Sequence, residues 1–188
     1  MSQNQTLLHT TSNPAPLGLM GFAMTTILLN IHNAGFFPVD TMIMGMGIFF
    51  GGIAQFCAGI MEWKRNNQFG SVAFMSYGAF WLTLVFLWIG GSAGLQAPNS
   101  TSMGCYLFMW GLFTFVFFLQ TLKGTTTAKI LFFSLFVLFM LLAITQFTGS
   151  ALLGKIAGFE GIFCGAVAFY EATAVMLNEK YGKTVLPL

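Results

Sequence analysis

Asn13-Pro14-Ala15-Pro16-Leu17-Gly18-Leu19-Met20-Gly21-Phe22 is the stretch on which the reading of this chain turns. Pro14 and Pro16 lack an amide hydrogen and have a fixed φ, so neither suits the interior of a regular helix. The residue before each proline is pushed toward extended backbone. From Leu17 the sequence turns apolar and carries no Asp, Glu, Lys or Arg through Ile31. A stiff Asn-Pro-Ala-Pro entry therefore feeds a helix starting near Pro16 or Leu17, because proline is well tolerated in a first helical turn. Taken by itself, the run is a rigid helix cap at a membrane surface.

The rest of the chain agrees with a lipid environment. Of its 188 residues 56% are hydrophobic and 6% charged, whereas a soluble domain carries roughly a quarter charged residues. A net charge of +2, with no basic cluster larger than Lys64-Arg65, gives no footprint for nucleic acid. Residues 1–12 contain no Lys or Arg, unlike the basic start of a secretory signal, and are read as a flexible cytoplasmic tail. Residues 13–188 are then a single transmembrane domain. Cys57, Cys105 and Cys164 are far apart, each within an apolar run, and are read as small packed hydrophobes rather than as disulfide partners or metal ligands.

A helix needs roughly 20 apolar residues to cross a hydrocarbon core of about 30 Å. Residues 17–31 form the first span, ending near Asn30–Asn33. Asp40 is an N-cap for the second, over residues 41–61. Residues 69–122 contain no charge at all, too long a run for one crossing. Gly90-Gly91-Ser92-Ala93-Gly94 and Ala97-Pro98-Asn99-Ser100 divide it into spans near 69–89 and 101–122. The fifth covers about 128–147 and the sixth about 156–177, where Asn178 and Gly182 can end it. The expected architecture is all-α, with six transmembrane helices.

Basic residues orient it. Lys64 and Arg65 follow the second span, Lys123 and Lys129 lie between the fourth and fifth, and Lys180 and Lys183 follow the sixth. All fall on the side of the N-terminus, and Lys155 alone falls on the other. Since cytoplasmic loops retain Lys and Arg, both termini face the cytoplasm of a cell (inner) membrane. Gly47 with Gly51, and Gly161 with Gly165, are small residues four apart that let helices approach closely in lipid.

No catalytic or metal-binding constellation is legible. His9 lies in the tail and His32 near a helix end, and no His-x-x-x-His or His–Asp pattern is present; Gly90-Gly91-Ser92-Ala93-Gly94 has the letters Gly-x-Ser-x-Gly but links two apolar spans rather than a strand and a helix, so no nucleophile elbow is present. The chain thus reads as a non-enzyme that needs no cofactor. What remains are polar side chains inside the spans. Phe22, Thr26 and Asn30 are spaced i, i+4, i+8 and share a helix face. Gln55 and Glu62, seven apart, share another. Ser and Thr in helices commonly bond back to their own backbone. For Asn30 and Gln55, bonding between helices and lining of a pore stand side by side. Glu171, about two turns inside the sixth span, is either functional or snorkels to the cytoplasmic surface.

The Asn13–Leu19 run resembles the signature of the succinate–acetate permeases (acetate uptake transporters). Gly51-Gly52-Ile53-Ala54-Gln55 with Ala58-Gly59 and Glu62 resembles the second helix of that family. Phe69-Gly70, Ser76-Tyr77-Gly78 and Phe80-Trp81-Leu82-Thr83 resemble its third. Thr121-Leu122-Lys123-Gly124, Phe132-Phe133-Ser134-Leu135 and Asn178-Glu179 with Gly182 carry the likeness to the end. The resemblance implies a homohexamer in membrane lipid, with a narrow central pathway for acetate through each six-helix protomer. It implies a hydrophobic constriction at Phe22, Tyr77 and Leu135, a position shaping substrate choice at Ala168, and positions tied to transport at Thr26 and Glu62. The family's pattern leads one to expect an uncharged residue at Glu171. With Asn13, Asn30 and Gln55 these residues make up the expected pathway. The expected function is transport of acetate and similar small monocarboxylates, with succinate among them, coupled to protons. The alternative is a passive channel for small weak acids or other small solutes.

Overall fold

The computed structural model describes residues 12–188; the tail expected over residues 1–12, and His9 within it, fall almost wholly outside them. Among the described residues six helices follow one another: α1 (Ala15–Asn33), α2 (Thr41–Lys64), α3 (Gln68–Ser92), α4 (Ser100–Thr121), α5 (Thr126–Thr148) and α6 (Ala151–Tyr181). All six are long and apolar enough to cross a bilayer.

Local chemistry sets the ends. Pro16 occupies the first turn of α1, and Asn13 Oδ1 accepts the Ala15 amide at 3.1 Å, so the helix begins a residue or two earlier than the prolines alone predict. Asp40 caps α2 as expected, accepting the Met42 and Ile43 amides at 3.0 and 3.3 Å. Asn67, Asn99, Thr125 and Ser150 do the same for α3 to α6, each satisfying an amide that the first helical turn leaves free.

Two boundaries differ from expectation. Helix α3 continues through Gly90 and Gly91 to Ser92, ending only where Gly94 turns left-handed at φ +84°. Glycine weakens a helix by about 1 kcal/mol but does not stop it, and its amide still bonds within the segment. Helix α6 begins at Ala151, five residues before the predicted Ile156. There Gly149, at φ +67°, reverses the chain and Ser150 caps the new helix, so Lys155 lies in a second turn rather than in a loop.

A third difference was invisible to periodicity. Within α2, Met46–Ala54 is wound as a π-helix. Its glycines sit against neighbours: a Cβ on Gly51 would stand 2.9 Å from Thr25 Oγ1 and 3.0 Å from Trp81, and one on Gly47 2.6 Å from Val85. Thr25 Oγ1 donates to the Met46 carbonyl at 3.4 Å, tying α1 to the wide segment.

Helix α1 packs most closely on α6, where Gly161 meets the Asn30 side chain and Gly165 meets Ile27 and the Ala23 carbonyl. Going round, α2 lies against α1 and α3, α6 against α5, and α5 against α4. Between α3 and α4 side chains close the ring. Phe80 stacks on Tyr106 with centroids 5.8 Å apart, and Trp110 meets Phe80 and Tyr77 at 5.2 and 6.0 Å. Helices α1, α3 and α5 thereby line the middle of the bundle.

Candidate transport pathway

Three cavities lie in series along those helices. The first, about 190 Å³, is bounded by Ala15 and Leu19 of α1, Asn67, Phe69, Gly70, Ala73 and Phe74 at the start of α3, Ala128, Leu131 and Phe132 of α5, and Glu171 of α6. The second, about 20 Å³, shares Leu19, Ala73, Phe74, Leu131 and Phe132 with the first, and adds Phe22, Gln55, Tyr77 and Leu135. A space of that size admits one water-sized group. The third, about 240 Å³, is bounded by Leu29, His32 and Asn33 of α1, Phe80, Leu84 and Trp88 of α3, and Leu142 and Gln146 of α5. Residue numbers climb in step on α1, α3 and α5, so the three helices run parallel and the cavities follow one another along them, the middle one the narrowest.

Phe22, Tyr77 and Leu135 together line the narrow middle cavity. The rings of Phe22 and Tyr77 are 5.9 Å apart, and Leu135 is 3% exposed. Tyr77 is held from behind. Thr114 Oγ1 gives its hydrogen to the Trp110 carbonyl at 2.7 Å, so the Tyr77 hydroxyl, 2.9 Å away, is the donor to Thr114. With its proton committed to α4, Tyr77 presents ring rather than hydroxyl to the narrow space. Phe113, Phe117 and Phe132 pack round that ring with centroids 5.9 to 6.4 Å away.

The other singled-out residues separate into two groups. Gln55 lines the narrow cavity, and among the described residues its Oε1 is buried with no hydrogen-bond partner; Thr26 Oγ1, one turn beyond Phe22, is likewise buried and unpartnered. Asn30 is 2% exposed but already bonded. Its Nδ2 donates to the Thr26 carbonyl at 2.9 Å, its Oδ1 accepts from Asn33 at 3.0 Å, and its side chain fills the notch left by Gly161. Glu62 accepts from Asn67 Nδ2 at 2.9 Å and pins the α2–α3 turn. Asn13 receives Arg65 Nη1 at 3.1 Å, fastening the start of α1 to the same turn. Ala168 is fully buried on α6, one turn from where Gly165 meets α1.

Two groups escaped the sequence reading. Ser134 on α5 donates to Glu160 Oε1 on α6, a carboxyl held between two spans, whose Oε2 is buried without a partner. Its charge letter was the available signal, since ionisable residues inside spans are rare. Thr114, which anchors Tyr77, gave no signal because mid-helix threonines usually serve their own backbone.

A profile of the GPR1/FUN34/yaaH family matches residues 2–187. The chain belongs to this family. Among its similar members is the succinate-acetate/proton symporter SatP of Escherichia coli (strain K12), 54% identical over 178 residues that cover 94% of this chain and 95% of that protein. Ammonia transport outward protein 2 of Saccharomyces cerevisiae is 38% identical over 175 residues, covering 89% of this chain and 62% of the yeast protein. Among solved structures, that of the bacterial acetate channel SatP superposes with a TM-score of 0.94 at 54% identity, covering 95% of this chain and 99% of that one. The chain is thus a multi-pass membrane protein of the GPR1/FUN34/yaaH family, as its sequence motifs led one to expect.

Proposed function

We propose that this chain is a proton-coupled permease for acetate and similar small monocarboxylates, with succinate a further substrate. The observation that carries it is the narrow apolar middle of three cavities stacked along the bundle, with no Lys or Arg among the described residues lining any of them. A carboxylate crossing that ring as an anion must shed water, at an effective cost of several kcal/mol. Protonating it instead costs about 1.4 kcal/mol for each unit by which pH exceeds the acid's pKa. For a simple carboxylic acid near neutral pH that is roughly 3 to 4 kcal/mol. The two costs are comparable at pH 7, and the neutral route gains as pH falls. Thr26 Oγ1 and Gln55 Oε1 are the free polar atoms beside the ring, whereas the groups of Asn30 are already spent. Substrate meets Thr26 and Gln55, then passes Phe22, Tyr77 and Leu135 carrying a proton, while buried Ala168 keeps α6 close enough to α1 to hold Phe22 in place.

The similarity to SatP supports this substrate class, and SatP is described both as a symporter and as a channel. In proteoliposomes, uptake at fixed total acetate is expected to rise several-fold from pH 8 to pH 6 and to collapse when an uncoupler removes the gradient. Carrier-dependent uptake that is flat across this range and indifferent to uncoupler would instead make the protein a passive channel, the second reading.

The same proposal puts the Ala15 end of the bundle in the cytoplasm of the inner membrane, with residues 13–188 as one transporter unit and six copies assembled as the family resemblance implies. Lys64, Lys123, Lys129 and Lys180 belong to that end, and Lys155, whose Cε lies 3.6 Å from the Cβ position of Gly35, to the other. Single cysteines at 64, 123 and 183, in a background lacking the three native ones, should resist an impermeant thiol reagent applied to intact cells, and one at 155 should react. Labelling of 64 or 183 from outside inverts the topology.

A further inference from the structure

Among the described residues bounding the first cavity Glu171 is the only ionisable side chain, and its Oε2 is buried with no hydrogen-bond partner among the described residues. The charged groups of the neighbouring elements are turned to other tasks. From α2, Glu62 is held by Asn67. From the α2–α3 turn, Arg65 donates to Asn13 Oδ1 and the Ser12 carbonyl at 3.1 and 3.3 Å. On α5, Lys129 adjoins Ala128 yet does not bound the cavity, and the α1 and α3 residues that do are uncharged. On α6 itself, Glu179 and Lys180 lie two turns beyond. Glu171 therefore faces an apolar-walled space on the transport route, with no cation among the described residues bounding it.

We propose that Glu171 is a proton-linked binding site for the substrate carboxyl in the cytoplasmic cavity, where the two carboxyl groups share a single proton. This rests on the transport reading above. An ionised carboxylate can only accept hydrogen bonds, whereas a protonated one also donates. Two carboxylates in one cavity repel each other, and walls of Leu19, Phe69, Phe74 and Phe132 do little to screen them. Ionised Glu171 thus excludes the anion; protonated Glu171 offers it a charge-assisted hydrogen bond, the stronger kind. In the inward direction a neutral acid clears the constriction and gives its proton to the Glu171 carboxylate. The acid becomes an anion and leaves for the cytoplasm, and Glu171 then releases the proton to cytoplasmic water. One proton and one carboxylate are delivered per passage, and Glu171 returns to its starting state.

The test measures labelled-acetate transport from the cytoplasmic face, in inside-out vesicles, at pH 6, 7 and 8. For the wild type the apparent KM in total acetate should rise at least tenfold from pH 6 to pH 8. In E171Q the amide donates to the anion without needing a proton, so KM should change less than twofold over the same range. E171D, which keeps a carboxyl, should retain the slope, and so should E160Q, whose carboxyl lies outside the cavities. A wild-type slope in E171Q with normal flux overturns this inference alone. A loss of slope in E160Q as well overturns it too, because the effect would then follow carboxyl content rather than place. Absence of saturable acetate flux in the wild type from either face removes the transport reading, and this inference with it.

Discussion

Gly158→Val is expected to leave almost no folded protein in the membrane, the largest stability effect of any single substitution we predict. A Cβ at position 158 would press on the Ala34 amide nitrogen and stand 2.7 Å from both Ala34 Cα and the Asn33 carbonyl carbon. These are backbone atoms at the end of α1, so no rotamer change relieves the contact. Helices α1 and α6 form the closest packing in the bundle, and in lipid such association depends on contact itself, because the tails offer no hydrophobic drive. Overpacking a close contact costs typically about 1 to 3 kcal/mol even where side chains can shift; with backbone as the obstacle the upper figure is the floor. Gly90→Ala is the matched comparison. There the nearest atom, Leu95 Cδ1, is 3.5 Å away, an ordinary contact, and alanine favours a helix by about 1 kcal/mol over glycine. Size-exclusion profiles and thermal midpoints of the detergent-solubilised variants should show Gly158→Val lost and Gly90→Ala unchanged or raised. Equal behaviour of the two would mean that α1 and α6 do not meet as described.

Much of this architecture was legible because lipid simplifies the grammar of a sequence. Charge-free runs marked the spans, Asp40 marked the start of α2, and Gly47, Gly51, Gly161 and Gly165 marked the faces that meet. The misreadings came where one signal stood for two things. Gly90-Gly91 looked like a break, yet a glycine amide inside a lipid-bound helix keeps its hydrogen bond, since no water competes for it. The sixth span was expected to begin near Ile156, just past the charge of Lys155, although Ser150 caps α6 five residues earlier. The π-wound segment Met46–Ala54 left no trace because it is apolar on nearly all sides, and period cannot be read without contrast. Asn30 shows the same limit for the site. It shares a helix face with Phe22 and Thr26, but its amide is consumed by the Thr26 carbonyl, Asn33 and the notch at Gly161, which the sequence does not show. Conversely, nothing in the sequence places Glu171 on a cavity wall, because that depends on how far α6 slides past α1.

Phe22→Ala and Leu135→Ala are expected to raise the flux of lactate relative to acetate by about tenfold, the scale on which one or two extra heavy atoms are discriminated in an apolar pocket. The cavity between these side chains, about 20 Å³, is smaller than either acid, so side chains must yield for passage. Which of the three yields follows from their anchors. Tyr77 is fixed by its hydrogen bond to Thr114 and by four aromatic neighbours, so it is the wall against which the others move. Leu135 and Phe22 have no polar tether and can change rotamer at low cost. Truncating either widens the space permanently, which helps the bulkier acid most because acetate already passes. Leu→Ala in a packed core costs about 2 to 5 kcal/mol of stability, so Leu135→Val, which removes one carbon, is the safer variant and should move the ratio in the same direction by a smaller factor. Tyr77→Phe separates anchoring from size. It keeps the ring but leaves Thr114 without its donor, at about 1 to 3 kcal/mol, and lets the wall itself move. Lactate discrimination should then weaken although no volume has been removed. The ratio of lactate to acetate flux in proteoliposomes, normalised to protein incorporated, decides the matter. If that ratio is unchanged in Phe22→Ala and in both Leu135 variants, the three side chains are core packing and the selectivity of the pathway lies elsewhere along it.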